Sequence, residues 1–498
     1  MRHFTRSALT GLLTASALFG LTALASAQEA LRVGATFLVG SADPTKGSAG
    51  WALVSHGVGE TLFTVDRDGR LVPELAESAE RTGDLEWTVR LAAGRFFSDG
   101  SAVTAAALAK GFDNTFAHNK AAAATGGKLA FEAIDDLTLR VTTERPVPVV
   151  AALFAEWPLI AYTLGSDGAP VYTGPYAIAG IAPDSHIDLV PNAHYPRAES
   201  RSPIVLRKFG DAQTMALAFE AGELDLAFGL PAESLARLRA NPDATVKSFA
   251  VGYQYYGFLN SERPALAEVK VRQAIDLAVD RAQLVAAING GEPATGAFAP
   301  YFPFVPQDAR PTDAAKAATL LDEAGWAAGG NGERARDGQP LRLTAVAYPQ
   351  RPDLVTMLPV LKADLAKIGI ALDTRVSENV GEVAANGDFD ILLWAQHTAP
   401  SGDPAFFFNS MLRSGAPLNY GRYASSAFDA IIDDFAAMAD AGERARIAIA
   451  AQEKLFEDAP VSFLVSPQWH VGLSKRLSGY EPWGSDYHVI RADMGETR

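Results

Sequence analysis

The chain has 498 residues, a formal net charge of −15 and no cysteine, and 48% of its residues are hydrophobic. The acidic balance opposes nucleic-acid binding, and the lack of cysteine excludes disulfides, thiolate zinc sites and cysteine nucleophiles. A chain of this length is expected to fold as about two or three domains, each with its own core.

Residues 1–27 read as a secretory signal. Arg2 and Arg6 form a positive segment, Ala8–Leu24 is apolar, and Ala25-Ser26-Ala27 is a small-residue cleavage site. The apolar segment is short for a membrane span, and no later run reaches the required length. There is no twin arginine and no cysteine at the signal to carry a lipid. We therefore expect an exported, soluble, monomeric protein, periplasmic where the cell has an outer membrane. Loss of Arg2 and Arg6 takes the charge from −15 to −17, which suits free diffusion.

After the signal, Ala30–Val39 reads as a strand and Trp51–Phe63 as a helix of about three turns with His56 in its middle. Leu85–Leu91 alternates as LEWTVRL, a strand with one buried face. Thr104 is placed to cap a helix beginning Thr104–Phe112. Phe131–Val190 is mostly strands, with a tight turn at Tyr172–Tyr176. From Val205 helices and strands alternate, which predicts an α/β sheet.

Gly252–Asn260 is an aromatic-rich strand, Glu268–Ala287 an amphipathic helix, and Ala314–Ala324 a helix closed by Gly325. Leu341–Tyr348, Asp353–Ile368 and Ile370–Val376 read as strand, helix and strand. Helices at Ser426–Ala439 and Glu443–Ala459 precede the strand Val461–Val465, and the tail Gln468–Ile490 runs back in extended form. This order predicts two lobes, residues 28–251 and 252–465, with 466–498 returning to the first. Gly252–Asn260 and Val461–Pro467 would be the hinge strands, and the gap between lobes the binding cleft.

The most chemically suggestive stretch is Phe389–Asp403, FDILLWAQHTAPSGD. It reads as a buried strand, Asp390–Trp394, breaking at Ala399-Pro400 into a polar loop that carries His397 and Asp403. Ligands of α/β sheets sit at such strand ends, and an imidazole with a carboxylate there suits a metal or a charged small molecule.

Short motifs run in order along nearly the whole chain after the signal: Glu60-Thr61-Leu62, Pro73-Glu74-Leu75-Ala76-Glu77-Ser78, Phe97-Ser98-Asp99-Gly100, Thr173-Gly174-Pro175-Tyr176, Ala221-Gly222-Glu223-Leu224-Asp225 and Val271-Arg272-Gln273-Ala274-Ile275. In these the chain resembles the extracytoplasmic solute-binding proteins of ABC importers, in the class serving peptides, nickel and related solutes (family 5). The resemblance implies a two-lobed, hinge-bending α/β fold of the type II periplasmic-binding-protein kind, with an extra β-rich subdomain in the first lobe. It also implies delivery of a captured solute to a permease in the inner membrane. Trp394–Asp403 and Trp483–Ile490 are closest to the nickel-binding branch. Nickel binders of the best-known type grip a chelator with an arginine before the GTGPY-like turn, but Glu156-Trp157-Pro158-Leu159 contains none. Peptide binders carry an acidic loop where Asp403 stands.

The resemblance places His56, His397 and His488 at the cleft, and imidazole suits Ni²⁺ better than it suits Ca²⁺ or Mg²⁺. The leading expectation is Ni²⁺ as transported ligand, free or as a small chelate, held by these three histidines. Arg413 and Arg422 would grip a ligand carboxylate, with Trp394, Asp403 and Tyr487 completing the pocket. The alternative is a receptor for di- or oligopeptides, or opine-like amino-acid conjugates, bound through Asp403 and an arginine. A periplasmic peptide chaperone or sensor without a transporter is a third reading. No Gly-x-Ser-x-Gly elbow, HExxH helix or P-loop is present, so an enzyme is not expected.

Overall fold

The computed structural model describes residues 29–119, 122, 127–330 and 332–494; the expected signal at 1–27 lies outside them. Two large sheets organise the chain. The first orders its seven strands Tyr176–Ala182, His186–Pro191, Ile204–Lys208, Leu31–Ala35, Leu226–Phe228, Gln468–Ser474 and Ala244–Ala250. Leu31–Ala35 runs parallel to both of its neighbours, whereas the tail strand Gln468–Ser474 inserts antiparallel between Leu226–Phe228 and Ala244–Ala250. The second orders its six as Glu292–Pro293, Val461–Ser466, Tyr253–Leu259, Ile391–His397, Arg342–Ala347 and Ala371–Val376.

A β-rich subdomain extends the first lobe. Its antiparallel sheet orders Ala76–Arg81, Glu86–Leu91, Thr138–Thr143 and Leu129–Asp135. Alternate residues Trp87, Val89 and Leu91 point inward with Leu139 and Val141, and pack on Leu108 and Phe112 of the helix Ala105–His118. Thr104 caps that helix by accepting from the Ala107 N–H at 3.2 Å.

The chain passes between the two large sheets in neighbouring places. Ala250 pairs with Gln468 in the first sheet, and Tyr255 with Val465 in the second. The links between are only Val251-Gly252 and Pro467. Proline has no N–H to offer a ladder, and a Cβ on Gly252 would come within 2.2 Å of the His397 ring. Both links are therefore fixed by residues that end one sheet and permit the next.

Several elements differ from the sequence reading. The first helix is Ala49–Ser55, not Trp51–Phe63, and His56 closes it. Gly57 follows at φ 66°, where an added Cβ would meet the Ile490 carbonyl at 2.8 Å; a left-handed residue ends a helix regardless of the apolar pattern beyond it. The predicted helix Glu268–Ala287 is two, Val269–Ala278 and Arg281–Ile288, because Asp280 turns its carboxylate to the Gln283 N–H and caps the second. The strand carrying His397 extends through that residue, so His397 is paired with Tyr253 rather than placed on a loop. The tail is only partly extended, with 3₁₀ turns at Lys475–Leu477 and Asp486–His488.

The second lobe is cross-linked by Asp276, which accepts from Arg281, from Arg310 at 2.7 Å and from the Ser462 hydroxyl at 2.7 Å. The Arg281 side chain is only 3% exposed. Asp276→Ala would strand a buried guanidinium, and we expect a loss of about 3–5 kcal/mol in urea unfolding. Asp433→Ala removes the surface partner of Arg413 and should change stability by less than about 1 kcal/mol.

Candidate functional site

Among the described residues, several cavities are lined by both lobes, including two of very different size. The first, about 20 Å³, is lined by His397, Tyr487 and His488 with Trp483 and the hairpin residues Thr64–Arg67. It sits in a packed contact: Tyr301 of the second lobe donates to the Gly484 carbonyl at 3.1 Å, and Trp483 Nε1 donates to the Val65 carbonyl at 3.1 Å. A space of this size holds about one water. A chelated metal does not fit it.

The second cavity, about 740 Å³, opens beside the paired links between the sheets. Its floor is Tyr253, Tyr255 and Trp469. Phe37, Trp51 and Phe228 wall it on the first lobe, and the loop Gln350–Asp353 on the second. The rings form a continuous surface, with centroids 4.6 Å apart for Phe37–Trp51, 5.9 Å for Phe228–Trp469 and 5.3 Å for Tyr253–Trp469. A cavity of this volume, with an aromatic surface bordered by polar groups, is in the range of small-molecule sites.

Charged groups from both lobes border this space, among them Arg351 and Asp486. Arg351 follows the strand Arg342–Ala347 at its carboxyl end, and its guanidinium lies 5.0 Å over the Tyr253 ring. Asp486 enters from the tail, which is held to the first helix by the Ile490 N–H donating to the Ser55 carbonyl at 2.9 Å. Burial raises the Asp486 carboxyl to about 6, against the pull of a hydrogen bond from Trp51 and the charge of Arg351.

The structure disperses the residues singled out in the sequence. His397 and His488 share the small cavity, but His56 does not line it: its Nε2 accepts from the Val39 N–H at 3.2 Å and its ring stacks on Phe37. Among the described residues no group of three His, Asp or Glu is placed to hold a metal ion. Burial holds His56 and His397 down at about 3, and burial with Arg491 and Arg67 does the same for His488.

Asp403 is engaged internally. It accepts from Arg444 at 2.7 and 2.6 Å and from the Ala405 N–H at 2.8 Å. Arg413 pairs with Asp433, and Arg422 donates to the Ala385 carbonyl. Trp394 packs between Tyr348 and Tyr420 at 5.5 and 5.2 Å. None of these four lines either cavity. Arg351, Asp486 and Trp469, which line the larger cavity, were not singled out in the sequence. For Arg351 the signal was available, since Gln350-Arg351-Pro352-Asp353 breaks a strand at its carboxyl end just as the His397 stretch does.

A solute-sized cleft between two sheets joined by paired links defines a ligand-capturing protein of the two-lobed kind. The chain belongs to the bacterial extracellular solute-binding proteins, family 5, whose model matches residues 70–418. It is 26% identical over 511 residues to the glutathione-binding protein GsiB of Escherichia coli O1:K1 / APEC, with 96% of each chain covered. It is 24% identical over 442 residues to the probable D,D-dipeptide-binding periplasmic protein DdpA of Escherichia coli K12, covering 82% of this chain and 81% of that one. Among solved structures, the nickel ABC transporter protein from Bacillus halodurans superposes with a TM-score of 0.82 at 26% identity, covering 94% of this chain and 100% of that one.

The buried histidines have a measurable consequence. Unfolded, His397 takes up a proton near the ordinary imidazole value of 6.5, but folded only near 3, because it is buried. The unfolded chain therefore binds more protons in that window, so the contribution is intact above about pH 6.5 and lost as pH falls toward 3. We expect His397→Gln to flatten the decline in unfolding free energy between pH 7 and pH 5 by about 2 kcal/mol, read from urea titrations. Asp403→Ala, by exposing Arg444 to an unpaired buried state, is expected to destabilise by about 3 kcal/mol with no change in ligand affinity.

Proposed function

We propose that this protein is the receptor of an ABC importer for a small amino-acid-derived solute, a short peptide or an amino-acid conjugate. The solute would be enclosed in the 740 Å³ cleft and presented to a membrane permease when the lobes close about Val251-Gly252 and Pro467. The observation that carries this reading is Arg351, a guanidinium stacked on Tyr253 at the mouth of an aromatic-walled cavity. Arginine in that setting offers two parallel donors to a carboxylate, and the ring beneath keeps the fork oriented. The names of two relatives, a glutathione-binding and a probable D,D-dipeptide-binding protein, point to the same ligand chemistry.

Closure follows from differential affinity. A ligand that touches both lobes binds the closed form more tightly and shifts the population toward it. The permease then has a surface that differs between loaded and empty receptor.

A nickel reading is favoured by one observation, that His397 and His488 line a common cavity, together with the Bacillus halodurans neighbour. Two imidazoles leave most of the coordination sphere to a chelator, for which about 20 Å³ leaves no room.

The two readings separate in a thermal-shift comparison using glutathione, a defined mixture of di- and tripeptides, and Ni²⁺ with free histidine. Saturation at about 100 times Kd stabilises by roughly 2.7 kcal/mol. We expect a shift with a peptide probe, weakened at least about tenfold in affinity by Arg351→Leu and untouched by His397→Gln. A shift with nickel-histidine alone, abolished by His397→Gln, would overturn the proposal.

A further inference from the structure

Resting on the reading above, we infer that Asp486 is the receptor for a free ammonium group on the ligand, so that the solute is bound as a zwitterion bridging Asp486 of the first lobe and Arg351 of the second. Asp403, the position at which peptide binders carry their acidic loop, would then have no part in ligand capture.

Three of the four carboxylates bordering the cleft are engaged or exposed. Asp211 caps the helix Ala212–Glu220, accepting from the Thr214 N–H and hydroxyl, both at 2.8 Å. Asp353 accepts from the Tyr255 hydroxyl at 2.8 Å. Glu233 lies at the exposed rim, 3.4 Å from the Gln213 amide. Asp486 differs from all three. It is only 6% exposed, Trp51 hydrogen-bonds to it, and its Oδ1 is buried without a partner. A buried polar atom in that condition loses its solvation with nothing in return.

An ammonium supplies what Oδ1 lacks. It brings a positive charge and three donors, and a charge-assisted bond in a dry site is stronger than a neutral one. The aromatic ring of Trp51, which borders the same cavity, attracts a cation as well. The opposing guanidinium sets the other end. A ligand with one ammonium and one carboxylate is thereby oriented, and only when both ends are engaged are the lobes tied together.

The discriminating probes are three versions of one defined di- and tripeptide mixture: unmodified, N-acetylated, and C-amidated. Binding is read by thermal shift and calorimetry on the purified protein, with Ni²⁺–histidine as a fourth arm. We expect the unmodified set to bind and acetylation to weaken binding at least about tenfold. In Asp486→Asn the unmodified set should bind no better than the acetylated one, while Asp403→Asn keeps the discrimination.

Equal binding of acetylated and unmodified peptides to the wild-type protein overturns the inference while leaving the peptide reading in place, and needs no variant. Discrimination that persists in Asp486→Asn also overturns it. Rejection of acetylated but not amidated peptides supports Asp486 and removes Arg351 from the account. Binding of Ni²⁺–histidine alone overturns the peptide reading itself, and this inference with it.

Discussion

The two large sheets share no strand, yet the chain must pass between them twice, and it does so in adjacent places. Ala250–Tyr253 and Ser466–Gln468 are the two passages, each bordered by paired strands on both sides. Two short links side by side leave few ways for the lobes to move except about the line that joins them. Their backbone groups stay satisfied at the crossing: the Gly252 N–H donates to the Gly484 carbonyl, and its own carbonyl accepts from the Thr398 N–H. The cleft is where the sheets diverge from this line. Its floor, Tyr253, Tyr255 and Trp469, is built from residues within the first three beyond each link.

This constraint also explains why the tail matters. Having crossed back at Pro467, the chain adds Gln468–Ser474 to the first sheet and then wraps to the first helix. The wrap brings Asp486 to the cleft and His488 to the interlobe contact behind it. The two cavities thus both lie beside the same crossing. One is roomy, aromatic and bordered by charges from both lobes; the other is filled by the side chains that hold the lobes together.

The fold was largely legible in the sequence because its motifs encode structure. Glu60 receives both contacts of Arg95 at 2.8 Å and the Tyr195 hydroxyl at 2.9 Å. Asp225 ties Arg32 and Arg476 at the edge of the first sheet, and Arg272 closes on the carbonyls of Leu266 and Asp458. These buried ionic and polar contacts fix how the chain folds, whatever the ligand. The residues proposed for ligand capture, Arg351 and Asp486, are instead single positions far apart in sequence, which no local pattern connects. Asp403 occupies a family loop position, but Arg444, forty-one residues later, pairs with it, a partner that no local pattern announces. The placement of His56 was not legible because a left-handed glycine, Gly57, ends its helix early, and the ring packs in the core against Phe37.

The central claim is that ligand enters the cleft at Arg351 and Asp486 rather than the cavity of His397 and His488. Amide hydrogen exchange, with and without saturating unmodified peptide mixture, tests it directly because it reports position without a variant. The account predicts slowed exchange in residues 229–233 and 350–353, with 64–67 and 397–400 little changed. Protection confined to 64–67 and 397–400, or obtained only with Ni²⁺–histidine, would contradict it.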